Sequence, residues 1–197
     1  MSTKSFVFIL LCFTLLLAAC GGGEPNAIPE DPAELNSYHF SQVCQDTVIP
    51  IAVEYDSDSD DIHPIVFYNN FYAEDNYNLI FDSEMDMDSD WTVEVDGDYS
   101  VIELVGCVSR IDSELFDTCE YEFDDSNDVG VLEMYDATYE LRLIAAQTGE
   151  LLLTETIETY MDECPSFTMF SDADEVEQRY GRPHDQLPTL VEPYVAP

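Results

Sequence analysis

Tyr135, Ala137, Tyr139, Leu141 and Leu143 alternate with Asp136, Thr138, Glu140 and Arg142, the period of a strand with one face buried and the other wet. Ala146-Gln147-Thr148-Gly149-Glu150 then supplies turn chemistry, and Leu151, Leu153 and Ile157 set against Thr154, Thr156 and Glu158 return in the same pattern. Residues 135–160 therefore read as a long β-hairpin.

Short strands recur on the N-terminal side of it. Residues 47–55 read as a strand in which Pro50 forces an edge or a bulge. Residues 63–68 and 77–81 are further apolar runs, 91–95 alternates, and Asp96-Gly97-Asp98 makes a turn into a strand over 99–108. After a turn near Asp112-Ser113, residues 115–123 return with Cys119, Tyr121 and Phe123 on one side and Glu120 and Glu122 on the other. Beyond the hairpin, residues 172–178 suggest a helical turn that Tyr180-Gly181-Arg182-Pro183 ends. Leu187, Leu190, Val191 and Tyr194 fall at helical spacing behind Asp185 as a candidate cap, and Pro193 holds that helix to about two or three turns. The fold expected is mainly β: an antiparallel sandwich-like domain of about seven to nine strands, with a long hairpin and a short C-terminal helix.

Charge removes whole classes of partner. Of 197 residues, 5 are Lys or Arg and 43 are Asp or Glu, a formal net charge of −38. A surface this negative repels nucleic-acid phosphates and anionic lipid head groups, which leaves cations, basic proteins or a saline environment. With 46% hydrophobic and 12% aromatic residues, the chain is nonetheless built to fold and is not an acidic disordered tail.

Lys4, the one lysine, precedes residues 6–19, which are apolar apart from Thr14 and close on Leu17-Ala18-Ala19-Cys20. That run is too short for a spanning helix and has the layout of an export signal. Its last four residues resemble the lipobox of bacterial lipoproteins. The resemblance implies that the chain is cut before Cys20, whose sulfur carries the lipid, and that the protein is anchored to the cell membrane or outer membrane, facing the periplasm or the exterior. Losing Lys4 takes the charge from −38 to −38 − 1 = −39 and leaves four arginines. Gly21-Gly22-Gly23-Glu24-Pro25, with Pro29 and Pro32 after it, has tether composition. The expected organisation is a signal over 1–19, a flexible tether over 20–37 and one β-rich domain over 38–197.

Four cysteines remain after the anchor: Cys44, Cys107, Cys119 and Cys164. An even number in an exported chain points to disulfides, and no C-x-x-C pair supports zinc or a redox thiol. Three connectivities are open; the turn near Asp112-Ser113 favours Cys107 with Cys119, leaving Cys44 with Cys164. The acidic runs suggest weak calcium sites at Asp56, Asp58 and Asp60 and at Asp86, Asp88 and Asp90. Neither meets the EF-hand pattern, because the glycine position holds Asp61 or Trp91 and the terminal glutamate position holds Phe67 or Gly97. His39, His63 and His184 have no metal or triad spacing. Paired carboxylates for hydrolysis cannot be singled out among so many acids. The twelve Tyr and eleven Phe read mainly as core rather than as a sugar platform.

His63-Pro64-Ile65-Val66, Val105-Gly106-Cys107-Val108, Cys119-Glu120-Tyr121-Glu122, residues 139–150, Cys164-Pro165 and Tyr180-Gly181-Arg182-Pro183 running on to Leu190-Val191-Glu192-Pro193-Tyr194 resemble a group of uncharacterised, exported or membrane-tethered bacterial proteins. The likeness spans roughly residues 62–195, implies an exported β-rich domain and brings no catalytic residues; the acidic insertions at 56–61 and 82–90 are particular to this chain. The reading from sequence is a lipid-anchored, acidic envelope protein without a resident cofactor. It is non-enzymatic, binding or scaffolding a basic or envelope protein, with a secreted carboxylate hydrolase as the alternative.

Overall fold

The computed structural model describes residues 27–71, 76–93, 96–123, 129–170 and 176–197. The Cys20 lipobox lies outside them, as do residues 94–95 of the expected strand at 91–95 and residues 172–175 of the expected helical turn. The protein is mainly β. Its elements are α1 (Ser37–Ser41), β1 (Ile65–Asn70), β2 (Asn78–Ile80), β3 (Leu104–Glu122), β4 (Val129–Ala145), β5 (Leu151–Thr159), β6 (Val176–Tyr180) and α2 (Leu187–Val195). The expected long hairpin and short C-terminal helix are both present. Among the described residues six strands join one mixed sheet, ordered β2-β1-β3-β4-β5 with β6 beside β4, in place of an antiparallel sandwich of about seven to nine strands.

Alternation builds the centre of this sheet. Ala137, Tyr139, Leu141 and Leu143 of β4 are buried, and Gly149 turns the chain at φ 73° so that Tyr139 pairs with Ile157 of β5. The first five residues of β3 are buried without alternation, because here the sheet is covered on both faces. On one face Val66, Tyr68, Val105, Cys107 and Ile144 pack against the N-terminal segment, including Phe40, Val43 and Ile49. On the other face Phe67, Leu104, Val108, Tyr139 and Leu141 pack against Leu187, Val191 and Val195 of α2.

Several local expectations give way to this plan. Residues 47–55 form no strand: Pro50 cannot donate to a ladder, and the segment crosses the sheet as turns, with the Ile49 amide on the Ala146 carbonyl and Ala52 buried. Trp91 likewise lies in a turn, its carbonyl accepting from Ile65. Residues 99–101 are a 3-10 turn capped by Asp98, and the strand begins at Leu104. The expected helical turn at 172–178 ends instead in β6, which runs parallel to β4. Asp185 does not cap α2; it sits in a 3-10 turn over His184–Gln186, and Gln186 occupies the cap position without a side-chain bond. Order also begins before Tyr38: Ile28 packs against the core and Leu35 is buried, inside the stretch expected to be tether.

The disulfides are Cys44–Cys107 and Cys119–Cys164, with Cα atoms 5.5 and 5.8 Å apart. The expected partners Cys107 and Cys119 cannot meet, because no turn separates them. Residues 112–113 lie inside β3, where the register slips at two bulges, between Arg110 and Asp112 and between Leu115 and Asp117. Twelve residues of strand span about 40 Å, far beyond the reach of a disulfide.

Candidate functional site

Where β1 stops pairing at Asn70↔Ser109, β3 continues without a partner on that side among the described residues, and the next residue, Arg110, pairs across to Tyr139. Phe71 follows the end of β1 and meets Tyr139 edge to face at 5.1 Å. From the other direction β6 runs to Tyr135↔Tyr180, after which the Gly181 amide bonds the Tyr135 carbonyl. Gly181 is needed there, since a Cβ would stand 2.6 Å from Thr159 Oγ1. Tyr139 then donates from its buried hydroxyl to the Gly181 carbonyl at 2.7 Å, fixing the loop that carries Arg182.

These pieces enclose a hollow of about 150 Å³ whose wall includes Arg110, Arg179 and Arg182. They are three of the four arginines in the chain. Arg110 is half-buried, with its guanidinium 3.5 Å from the centre of the Tyr180 ring. Tyr180 in turn stacks on Tyr135 at 4.9 Å and 21°. Arg179 donates to Thr168 Oγ1 at 3.1 Å, and Arg182 lies 3.4 Å from Glu84. Among the described residues no carboxylate stands within ion-pair distance of Arg110. The polar groups beside the arginines are engaged with one another: Tyr180 donates to Gln178 Oε1, and Gln178 Nε2 donates to the Glu133 carboxylate at 3.0 Å. Hydrogen bonds from Tyr135 and then Gln178 hold the Glu133 carboxyl below its ordinary pKa, and the same contact raises the Tyr135 phenol. The fourth arginine, Arg142, is structural, with Nη2 on the Cys44 carbonyl at 2.8 Å. Chemically, the hollow offers guanidinium donors between aromatic walls, the arrangement that takes an anion.

The acids singled out from sequence are laid out differently. Asp56, Asp58 and Asp60 are exposed, and Asp56 accepts from the Asp58 amide within its own turn; Asp88 does the same for Asp90, with Asp86 exposed beside them. Among the described residues no group of three or more His, Cys, Asp or Glu converges as metal ligands. One acid of the second run does have a distant role, because Glu84 faces both Arg182 and His184. A separate hollow of about 180 Å³ gathers Asp112, Glu114, Asp136 and Glu158. Three of these are exposed, and Asp136 is tied to the Met161 amide at 2.7 Å, so the hollow lacks the contrast of one dry and one wet carboxylate used by acid–nucleophile pairs.

The histidines are dispersed. His39 caps α1; His184 is buried against Phe71, its pKa lowered by that burial. His63 is buried with Nδ1 2.6 Å from Glu103 and Tyr55 edge-on at 4.7 Å, and its Nε2 meets no hydrogen-bond partner among the described residues. Its amide bonds the Val195 carbonyl, so this pair joins the start of β1 to the end of α2. The arginine convergence is what reading the sequence missed. The available signal was rarity: in a chain at −38, Arg179-Tyr180-Gly181-Arg182 places two of four arginines around an aromatic.

Comparison of the chain with protein-family models, with curated proteins and with solved structures finds no match.

Proposed function

We propose that this protein is a lipid-tethered, non-enzymatic binding module of the cell envelope that captures a small anion between Arg110, Arg179 and Arg182. The observation that carries the reading is the gathering of three of the four arginines at one aromatic-walled hollow in a chain of net charge −38. Isolated guanidiniums on so acidic a surface would be drawn singly to carboxylates, whereas Arg110 is held against a tyrosine ring instead. Support for the tether is the export signal ending in Leu17-Ala18-Ala19-Cys20; among the described residues no helix is long and apolar enough to cross a membrane. The acidic exterior remains for a basic or envelope protein partner.

Calorimetric titration of the full chain carrying Cys20→Ser with acetate, benzoate, phosphate and sulfate at constant ionic strength tests the pocket. At least one anion should bind with Kd between about 10 μM and 1 mM, and Arg110→Gln should weaken it about tenfold, the loss of one charge-assisted hydrogen-bonded contact. Anions that bind neither protein, or both equally, refute the reading. The tether has its own test. The native protein should enter the detergent phase and Cys20→Ser should not, since two or three acyl chains hold far more firmly than one; identical partitioning refutes the anchor.

A further inference from the structure

We infer that the anion is a planar aromatic monocarboxylate of about the size of benzoate, an inference that rests on the anion-binding reading above. Volume is the first argument: about 150 Å³ is the size of an apolar void that takes one benzene ring. The second is the geometry of Arg110. With its central carbon 3.5 Å over the Tyr180 ring, the guanidinium has that side occupied, and its N–H donors radiate in its own plane as a fork suited to two coplanar oxygens. Arg110 sits over the Tyr180 ring and Tyr135 stacks on it, and the electropositive rim of Tyr180 attracts the face of another ring. Phe71, set across Tyr139 at 65°, gives the ligand's apolar body a second wall.

The remaining polar groups point the same way. Tyr180 hydroxyl is bonded to Gln178, Gln178 amide to Glu133, and Tyr139 hydroxyl to the Gly181 carbonyl. Sugar hydroxyls or peptide amides entering here would have to break those bonds, whereas an anion with an apolar body needs only the guanidinium donors. Charge then separates monoanions from dianions. The field of a chain at −38 opposes entry in proportion to ligand charge, so phosphate or sulfate meets about twice the long-range repulsion that a monocarboxylate does. Glu84 beside Arg182 reduces the local excess of positive charge that a dianion would require.

The test titrates the full chain carrying Cys20→Ser with benzoate, cyclohexanecarboxylate, benzamide and inorganic phosphate at pH 7.5 and constant ionic strength. Benzoate should bind about three- to tenfold tighter than cyclohexanecarboxylate, the margin an aromatic contact gives, and also tighter than phosphate; benzamide should not bind. Arg110→Lys, which keeps the charge and loses the fork, should weaken benzoate by about tenfold, with its melting temperature measured to show that it folds. Should that variant not fold, Arg179→Gln serves as the second variant, with the same tenfold loss expected. Equal binding of benzoate and cyclohexanecarboxylate, a preference for phosphate, or full retention in Arg110→Lys overturns the aromatic carboxylate while leaving an anion site standing. Absence of binding by every anion overturns both.

Discussion

His39 and His184 are both buried, and burial lowers both pKa values from 6.5. For His39 the neutral form is also a structural requirement, because Nδ1 accepts the Asn36 amide at 3.2 Å in the capping box of α1. The folded state therefore prefers the unprotonated ring. Above pH 6.5 both states are neutral and stability is complete; below it the unfolded chain takes up protons that the folded chain resists, so stability falls with pH. His39→Gln retains an acceptor at that position and removes the titration. Its melting temperature should match wild type at pH 8 and exceed it at pH 5 by about 2–4 °C, the equivalent of one cap at about 1 kcal/mol. Equal losses in both proteins would exclude His39 as the source. Gly106 is a second position where one atom decides: an added Cβ would stand 2.3 Å from the Phe67 ring, in a core with no slack. Gly106→Ala should cost about 1–3 kcal/mol in denaturant unfolding, and an unchanged midpoint would show that Phe67 moves freely. Neither contact is written in local sequence, since Asn36 and His39 look like ordinary loop residues and Phe67 is distant from Gly106 in the chain. The arginine hollow was hidden for the same reason, with Arg110 on β3 and its companions on and beyond β6.

Among the elements, those with a local period were legible. The β4–β5 hairpin announced itself by alternation and a Gly turn, and α2 by helical spacing. Parallel pairings carry no such signal, so β1 beside β3 and β6 beside β4 are invisible in the sequence, and residues 47–55 have the apolar content of a strand although they cover a sheet face. The disulfide pairing failed at one element as well. Bulges inside β3 look like turn chemistry, and a turn there would have brought Cys107 to Cys119. The bulges instead protect an arm: residues 111–118 are exposed, no strand pairs with their outer edge among the described residues, and Asp112 and Asp117 accept from the Ser113 and Thr118 amides. Cys119–Cys164 fastens the 160–170 segment to that arm beside Leu132 and Met134. Its closed loop, with a separation of 45 residues, is worth about 4 kcal/mol in the chain-entropy treatment. In the Cys119→Ser/Cys164→Ser double variant, deuterium uptake should rise in residues 129–135 and 161–170 and stay unchanged in 139–145. Uniform uptake along β4 would mean that the arm is not a separate unit of stability. Non-reducing peptide mapping of the native protein should recover Cys44–Cys107 and Cys119–Cys164, and a Cys107–Cys119 peptide would contradict the fold.

For the whole molecule the dominant fact is a formal net charge of −38 on 197 residues. Folding brings carboxylates closer together than they stand in the expanded chain, so the native state carries more of their mutual repulsion. Few cations offset it. Arg142, half-buried, is 3.5 Å from Asp46 and Arg182 is 3.4 Å from Glu84, both near the solvent where such pairs contribute little. Screening should therefore stabilise the fold. The Debye length shrinks from about 30 Å at 0.01 M to about 3 Å at 1 M salt, which removes repulsion between neighbouring loops before it weakens hydrogen-bonded pairs. Thermal stability of the chain carrying Cys20→Ser should climb steadily over that range of NaCl, without a plateau at low concentration. Calcium acting at a specific site would behave differently, saturating at millimolar concentration under constant ionic strength by mass action. The carboxylates of Asp56 and Asp88 are turned toward amides of their own turns, so CaCl₂ matched in ionic strength should add only a small, unsaturated increment over NaCl. A melting temperature independent of NaCl would refute the repulsion argument. A steep, saturating calcium response abolished by Asp56→Asn or by Asp88→Asn would instead identify that acidic turn as a metal site.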